Sequence, residues 1–190
     1  MIKIRKAQAK DLTRLIELEM IIIDEMGTNL YQELGLQRSQ ELILEASKSD
    51  PKGRYHYSRA IVATEKEQIV GLAYGFLGNE EKIVNLKLDA LTEQKYKIKE
   101  KFFPDPEALK NEWYLDSLVV DPKWQNQGIG TALLNYLPKI AKDEGVNIIG
   151  LNVDDQNPLA KALYERKGFR SISRIKIGTH NYSHLQKFIK

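Results

Sequence analysis

The stretch Gln125-Asn126-Gln127-Gly128-Ile129-Gly130-Thr131 joins two strongly patterned segments. Before it, Trp113 to Val120 reads as an apolar strand closed by Asp121-Pro122, because the residue before a proline is pushed out of the helical region. After it, Ile129, Leu133, Leu134, Leu137, Ile140 and Ala141 recur at helical spacing over 128–144, with Gly145 as the stop. Pro138 falls inside that helix and should kink it near 135–137 by removing one backbone hydrogen bond. A strand running through a short turn into a helix leaves the N–H groups of residues 126–131 unpaired at the positive end of the helix dipole. Gly128 and Gly130 have no side chain to hold an anion away from those amides, so the turn suits a pyrophosphate. It is not a nucleotide-hydrolysing phosphate loop, since no Lys follows Gly130, nor a dinucleotide fingerprint, since Leu133 stands where a third glycine is needed.

Working outward, Ile148-Ile149-Gly150-Leu151-Asn152-Val153 is a second buried strand. Asn157-Pro158 then caps a short helix that runs to Lys167 and ends at Gly168. Strand, helix, strand, helix from 113 to 168 implies neighbouring parallel strands with helices on the faces. Upstream, residues 2–7 alternate like a strand, and Asp11 opens a helix with Leu12, Leu15, Ile16, Ile22, Ile23 and Met26 on its apolar stripe, stopped by Gly27. A second helix is expected after Ser39, with Leu42, Ile43 and Ala46 inward, ended by Asp50-Pro51. Residues 60–63 and 69–76 form a hairpin about Glu65-Lys66-Glu67, and strands at 172–177 and 182–189 close the chain. Residues 79–111 read as a partly helical excursion within the domain rather than a linker, with Phe102-Phe103-Pro104 near its end.

The 190 residues are 42% hydrophobic and 29% charged, with 29 Lys+Arg against 26 Asp+Glu, a formal net charge of +3. These figures describe one globular domain over 1–190 and give no cluster of basic residues for nucleic acid. No cysteine is present, which excludes disulfides, thiolate metal sites and a cysteine nucleophile. The most apolar run, Met20-Ile21-Ile22-Ile23, is far too short to span a membrane, and the N-terminus lacks the apolar stretch of a signal peptide, so a cytoplasmic protein is expected. His180 and His184 fall on one face of a strand without a third ligand, so no metal is expected there; they line a pocket or lie on the surface.

Gln125, Gly128 and Gly130 meet every fixed position of Gln/Arg-x-x-Gly-x-Gly/Ala, and the chain thereby resembles the GCN5-related N-acetyltransferase (GNAT) family. Val119-Val120-Asp121-Pro122 matches the strand end that precedes that loop, and Asn152, Asn157, Ala160, Leu163, Tyr164, Glu165, Gly168 and Phe169 keep the family's later spacing. The likeness is strongest from 112 to 170 and weakest over 28–58 and 79–111.

The resemblance implies a mixed α+β fold with a mostly antiparallel sheet whose parallel strands 4 and 5 splay apart, flanked by helices. It implies acetyl-CoA as cosubstrate, without metal, held at Leu118, Val119, Val120, Gln125, Asn126, Gln127, Gly128, Ile129, Gly130, Thr131, Asn152, Asn157, Ala160 and Tyr164. The reaction implied is direct attack of a primary amine, on a small molecule or peptide, upon the thioester. Tyr164 matches the family's general acid, while Leu118 N–H would polarise the acetyl carbonyl. For the base, period-two alternation puts Glu112, Tyr114, Asp116, Leu118 and Val120 on one strand face, making Asp116 the first carboxylate candidate and Glu112 the second. The contrasting reading is a non-catalytic acyl-CoA-binding or regulatory module. Residues 79–111 either fold over the acceptor side, Phe102 and Phe103 closing the pocket, or serve as a homodimer contact or surface elaboration. The near balance of charge gives no support to a highly cationic acceptor.

Overall fold

The computed structural model describes all 190 residues. Its seven strands form one sheet in the order β1-β2-β3-β4-β5-β7-β6. They are β1 (Lys3–Lys6), β2 (Ala60–Glu65), β3 (Gln68–Leu77), β4 (Trp113–Val120), β5 (Ile148–Asp154), β6 (Arg170–Ile177) and β7 (His180–Phe188). Every neighbouring pair is antiparallel except β4 and β5. That parallel pair is short. Trp113, Tyr114 and Leu115 face Ile149, Gly150 and Leu151, after which the two strands part, although β4 runs on to Val120 and β5 to Asp154.

The helices α1 (Leu12–Met26), α2 (Asn29–Ser49), α3 (Glu81–Val84), α4 (Leu86–Tyr96), α5 (Ile129–Asp143) and α6 (Pro158–Arg166) divide between the two faces. Leu15, Ile16 and Ile23 of α1 and Leu30, Leu42 and Ile43 of α2 pack with Val62, Leu72, Tyr74 and Val119 on one face. Leu133, Leu134 and Leu137 of α5 pack with Ile61, Ala73, Leu115 and Leu151 on the other. Burying such side chains contributes about 1.5–3 kcal/mol each, so two apolar layers hold the sheet from both sides. No helix is long and apolar enough to cross a membrane.

Several elements differ from the sequence reading. α2 begins at Asn29, not after Ser39: Thr28 Oγ1 accepts from Tyr31 N at 3.4 Å, and Gly35, at φ 75° and ψ 171°, breaks the helix internally. α1 ends at Gly27 as expected, in the left-handed region at φ 54°. α5 carries Pro138 without interruption of the helix. The 79–111 excursion folds as α3, α4 and an extended return over 97–112, and it belongs to the core, since Leu88, Leu91, Phe102 and Phe103 are buried beside α1 and α2.

One local irregularity matters for chemistry. Tyr74 faces Ser117 and Gly75 faces Leu115, so Asp116 is an extra residue in β4, a β-bulge. Alternation therefore breaks at Asp116. Tyr114 and Asp116 face Phe76 and Arg54, Ser117 and Val119 turn to the α1 side, and Leu118 and Val120 pack in the α5 layer. The expectation that Glu112, Tyr114, Asp116, Leu118 and Val120 share one face fails for the last two, because the bulge shifts the period by one residue.

Candidate active site

The turn after β4 leaves a row of backbone donors open. Asn126 at φ 61° and Gly128 at φ 78° take left-handed backbone conformations, curling the chain onto the start of α5. None of the N–H groups from Asn126 to Thr131 donates within the protein; the first to do so is Ala132, to Gly128 O at 2.9 Å. A Cβ on Gly130 would meet only Val120 Cγ2 at 3.8 Å and Leu118 Cδ2 at 4.0 Å. Packing within the protein thus leaves room for a side chain there, and the glycine keeps the backbone open to something outside it. These residues, with the edge of β4 left unpaired beyond Leu115, fit a pyrophosphate and an extended arm.

Where β4 and β5 part, a cleft of about 660 Å³ opens, walled by the end of α1 and the residues after it, by 100–107, by β5 and α6, and by the β6–β7 hairpin. Asn152, Asn157, Ala160 and Tyr164 all line it. Tyr164 packs edge-on against Phe169 at 5.9 Å between ring centroids, and its hydroxyl has no hydrogen bond within the protein. Burial pushes its pKa up to about 12, so the phenol keeps its proton at neutral pH. Asn157 Oδ1 caps α6 by accepting from Ala160 N at 3.0 Å. The Asn152 amide is engaged on every side: Nδ2 donates to Glu107 O and Tyr114 Oη, both at 3.0 Å, and Oδ1 meets His184 Nδ1 at 2.6 Å. It orders the wall rather than presenting a free polar group.

The two carboxylates expected as bases lie elsewhere. Glu112 is 0% exposed and absent from the cleft wall. It accepts from Leu109 N at 2.9 Å and Gln186 Nε2 at 2.7 Å, and lies 3.1 Å from His184 Nε2. A Cβ on Gly150 would fall 2.0 Å from its Oε2, so this carboxylate fits only because residue 150 is glycine. Glu112 is bonded within the sheet and does not itself line the cleft.

Asp116 is also closed off, one guanidinium behind the wall. Its Oδ1 is 3.5 Å from Arg54 Nη2, whose guanidinium lies 3.4 Å from Glu107 Oε1, and Glu107 does line the cleft. Arg54 stacks over Phe103 at 4.0 Å and is buried with Glu19, which accepts from Ser117 Oγ at 2.7 Å. Desolvation raises Asp116 to about 7, against the pull of Arg54 and with the push of Glu107. Desolvation followed by repulsion from Asp116 raises Glu19 to about 8. Arg54 pairs with two carboxylates, Glu107 and Asp116, and Glu19 Oε1 and Asp116 Oδ2 have no partner. Neither Arg54, Glu107 nor Glu19 is legible from spacing, except that Glu19 interrupts the apolar stripe of α1.

The two histidines separate. His184 is buried between Asn152 and Glu112, whereas His180 lines the cleft with its Nδ1 2.7 Å from Asp154 Oδ2. The cleft wall is acidic: Glu25, Glu100, Asp105, Glu107 and Asp154 stand against Lys101.

The family model for the acetyltransferase (GNAT) family matches residues 22–169. The chain belongs to that family. As a GNAT protein it has solved relatives over its full length: a crystallised acetyltransferase superposes with a TM-score of 0.87 at 34% identity, covering 99% of this chain and 100% of that one. An N-acetyltransferase from Staphylococcus aureus Mu50 gives 0.82 at 26% identity, covering 97% and 99%. Among curated proteins, the ribosomal protein bS18-alanine N-acetyltransferase of Escherichia coli K12 is 39% identical over 67 residues, 35% of this chain and 45% of that enzyme's length. The chain thus aligns with less than half of that curated relative. Family and relatives together support an acyltransferase enzyme.

Proposed function

We propose that residues 1–190 form one catalytic domain that transfers the acetyl group of acetyl-CoA to a primary amine by direct attack. The observation that carries this reading is the row of undonated N–H groups from 126 to 131 beside the β4 edge that β5 leaves unpaired beyond Leu115; Tyr164 lines the cleft beside the parted end of β5. Amides from Asn126 to Thr131 would hold the pyrophosphate, Leu118 to Val120 the extended arm, and Asn157 and Ala160 its far side. The coenzyme supplies an activated acetyl thioester. A neutral amine forms the C–N bond as the C–S bond breaks, and the departing thiolate takes the proton of Tyr164 Oη. The proton lost by the amine nitrogen returns through solvent to the phenolate, so the protein ends unchanged. Asp116 holds Arg54, and through it Glu107, in the cleft wall; it does not touch the amine.

The acidic wall supports an acceptor that carries positive charge besides its reacting amine, a small polyamine or a basic peptide. The overall charge of +3 conceals this, because the cleft concentrates carboxylates that the rest of the chain outweighs. The test is thiol release from acetyl-CoA with a panel of mono- and diamines and short peptides. Acetylated product with a preference for diamines or basic peptides supports the reading. Coenzyme binding without turnover of any amine overturns it.

A further inference from the structure

We infer that His180, oriented by Asp154, is the group that removes the proton from the acceptor ammonium; this rests on the acetyltransferase reading above. An amine must lose a proton before its lone pair can attack, because an ammonium near pKa ~10 is mostly charged at neutral pH. Glu112 is sealed in the sheet and Asp116 lies behind Arg54, so the carboxylates of β4 do not reach the acceptor. Glu107 does face the cleft, but its oxygens are engaged by Arg54 and by the hydroxyl of Tyr114 at 3.1 Å.

His180 has the geometry those groups lack. It opens β7 at the hairpin, lines the same cleft as Tyr164, and is half-exposed. Asp154 Oδ1 accepts from Gln156 N at 2.8 Å, which holds that carboxylate while its Oδ2 meets His180 Nδ1 at 2.7 Å. A carboxylate on Nδ1 requires the proton there, which leaves the Nε2 lone pair as the acceptor, and Nε2 has no partner within the protein. The same division of labour operates wherever a carboxylate fixes a catalytic imidazole's tautomer. One N–H bond of the ammonium breaks, one N–H bond forms at Nε2, and the ring then passes its proton to water. The charged and titratable groups around it are Asp154 on β5, Asp105 and Glu107 on the excursion, Tyr182 on its own strand and Glu25 across the cleft. Glu100 and Lys101 also line the cleft, Lys101 as the one cation among these acids.

His180→Gln, Asp154→Asn and wild type are compared by kcat/KM against pH, with a diamine that wild type acetylates. His180→Gln is expected to lose about 100-fold in kcat near neutral pH, with acetyl-CoA affinity retained and the acidic limb of the profile abolished. Added imidazole should restore part of the rate to His180→Gly. Asp154→Asn should lower kcat while keeping an acidic limb. Independently of turnover, nitrogen NMR of the coenzyme-free protein should find the neutral His180 ring protonated at Nδ1. An unchanged limb in His180→Gln, or a neutral ring protonated at Nε2, overturns the assignment while leaving the acetyltransferase reading intact. A wild type that acetylates no amine overturns both.

Discussion

Replacing Glu19 by Gln should make the protein progressively more stable than wild type as pH rises. Glu19 is 0% exposed, its Oε1 has no partner, and burial with repulsion from Asp116 lifts its pKa from 4.5 to about 8. A rise of that size corresponds to roughly 5 kcal/mol, at about 1.36 kcal/mol for each tenfold change in proton affinity. The folded-state value lies above the unfolded one, so the contribution is fully present below 4.5 and is lost as pH rises through about 8. Across that window the folded protein holds a proton that the unfolded chain releases, and stability falls by about 1.4 kcal/mol per pH unit for this group alone. Urea denaturation at pH 5, 6, 7 and 8 reads the effect directly. Asp116 titrates in both proteins and repels Glu19, so the difference between the two curves reads Glu19 together with its coupling to Asp116. Wild type should lose about 3 kcal/mol relative to the Glu19→Gln variant between pH 5 and pH 7. A constant difference over the whole range would refute the buried-proton argument.

Tyr164→Phe should lower kcat at least about 100-fold with little change in coenzyme affinity or stability, because the hydroxyl bonds to nothing in the protein; steady-state kinetics with isothermal titration checks both. Gly130→Glu should abolish coenzyme binding in the same titration, as it places a carboxylate over the open amides, whereas Gly128→Ala should cost about 1 kcal/mol of stability through its positive φ, seen as a lower urea midpoint. The KM of a diamine acceptor should rise from 0.05 to 0.5 M salt, about the range over which screening becomes severe, while that of an uncharged-tail amine stays flat.

How far the sequence can be read follows from which forces decide each part. The β4–turn–α5–β5–α6 series is legible because its periodicities are strong and Gly128, Gly145, Gly168 and Pro158 punctuate it. The first half of α2 is hidden because two glycines, Gly27 and Gly35, closely bracket it, and only the cap at Thr28 signals its start. The bulge at Asp116 leaves no periodic trace, yet it decides which face of the sheet Ser117 to Val120 turn to. Arg54, Glu107 and Asp154 meet their partners across long separations in sequence that no spacing rule registers. Composition also misleads. Overall charge balance gives no support to highly cationic acceptors, while folding gathers five carboxylates around one cleft. The excursion 79–111 is similarly changed: with Leu88, Leu91, Phe102 and Phe103 in the core, it is an integral part of the fold rather than a detachable cover. Phe103→Ala, which removes a buried ring and its stacking on Arg54, is expected to lose about 3–5 kcal/mol, read as a lower urea midpoint.

The central claim, that this cleft joins an acetyl group to an amine, is tested most directly by following CoA thiol release and product mass together while a diamine is incubated with the protein and acetyl-CoA. The account predicts stoichiometric thiol and mono-acetylated diamine, both suppressed in Tyr164→Phe; thiol release without acetylated amine, or turnover undiminished in that variant, would contradict it.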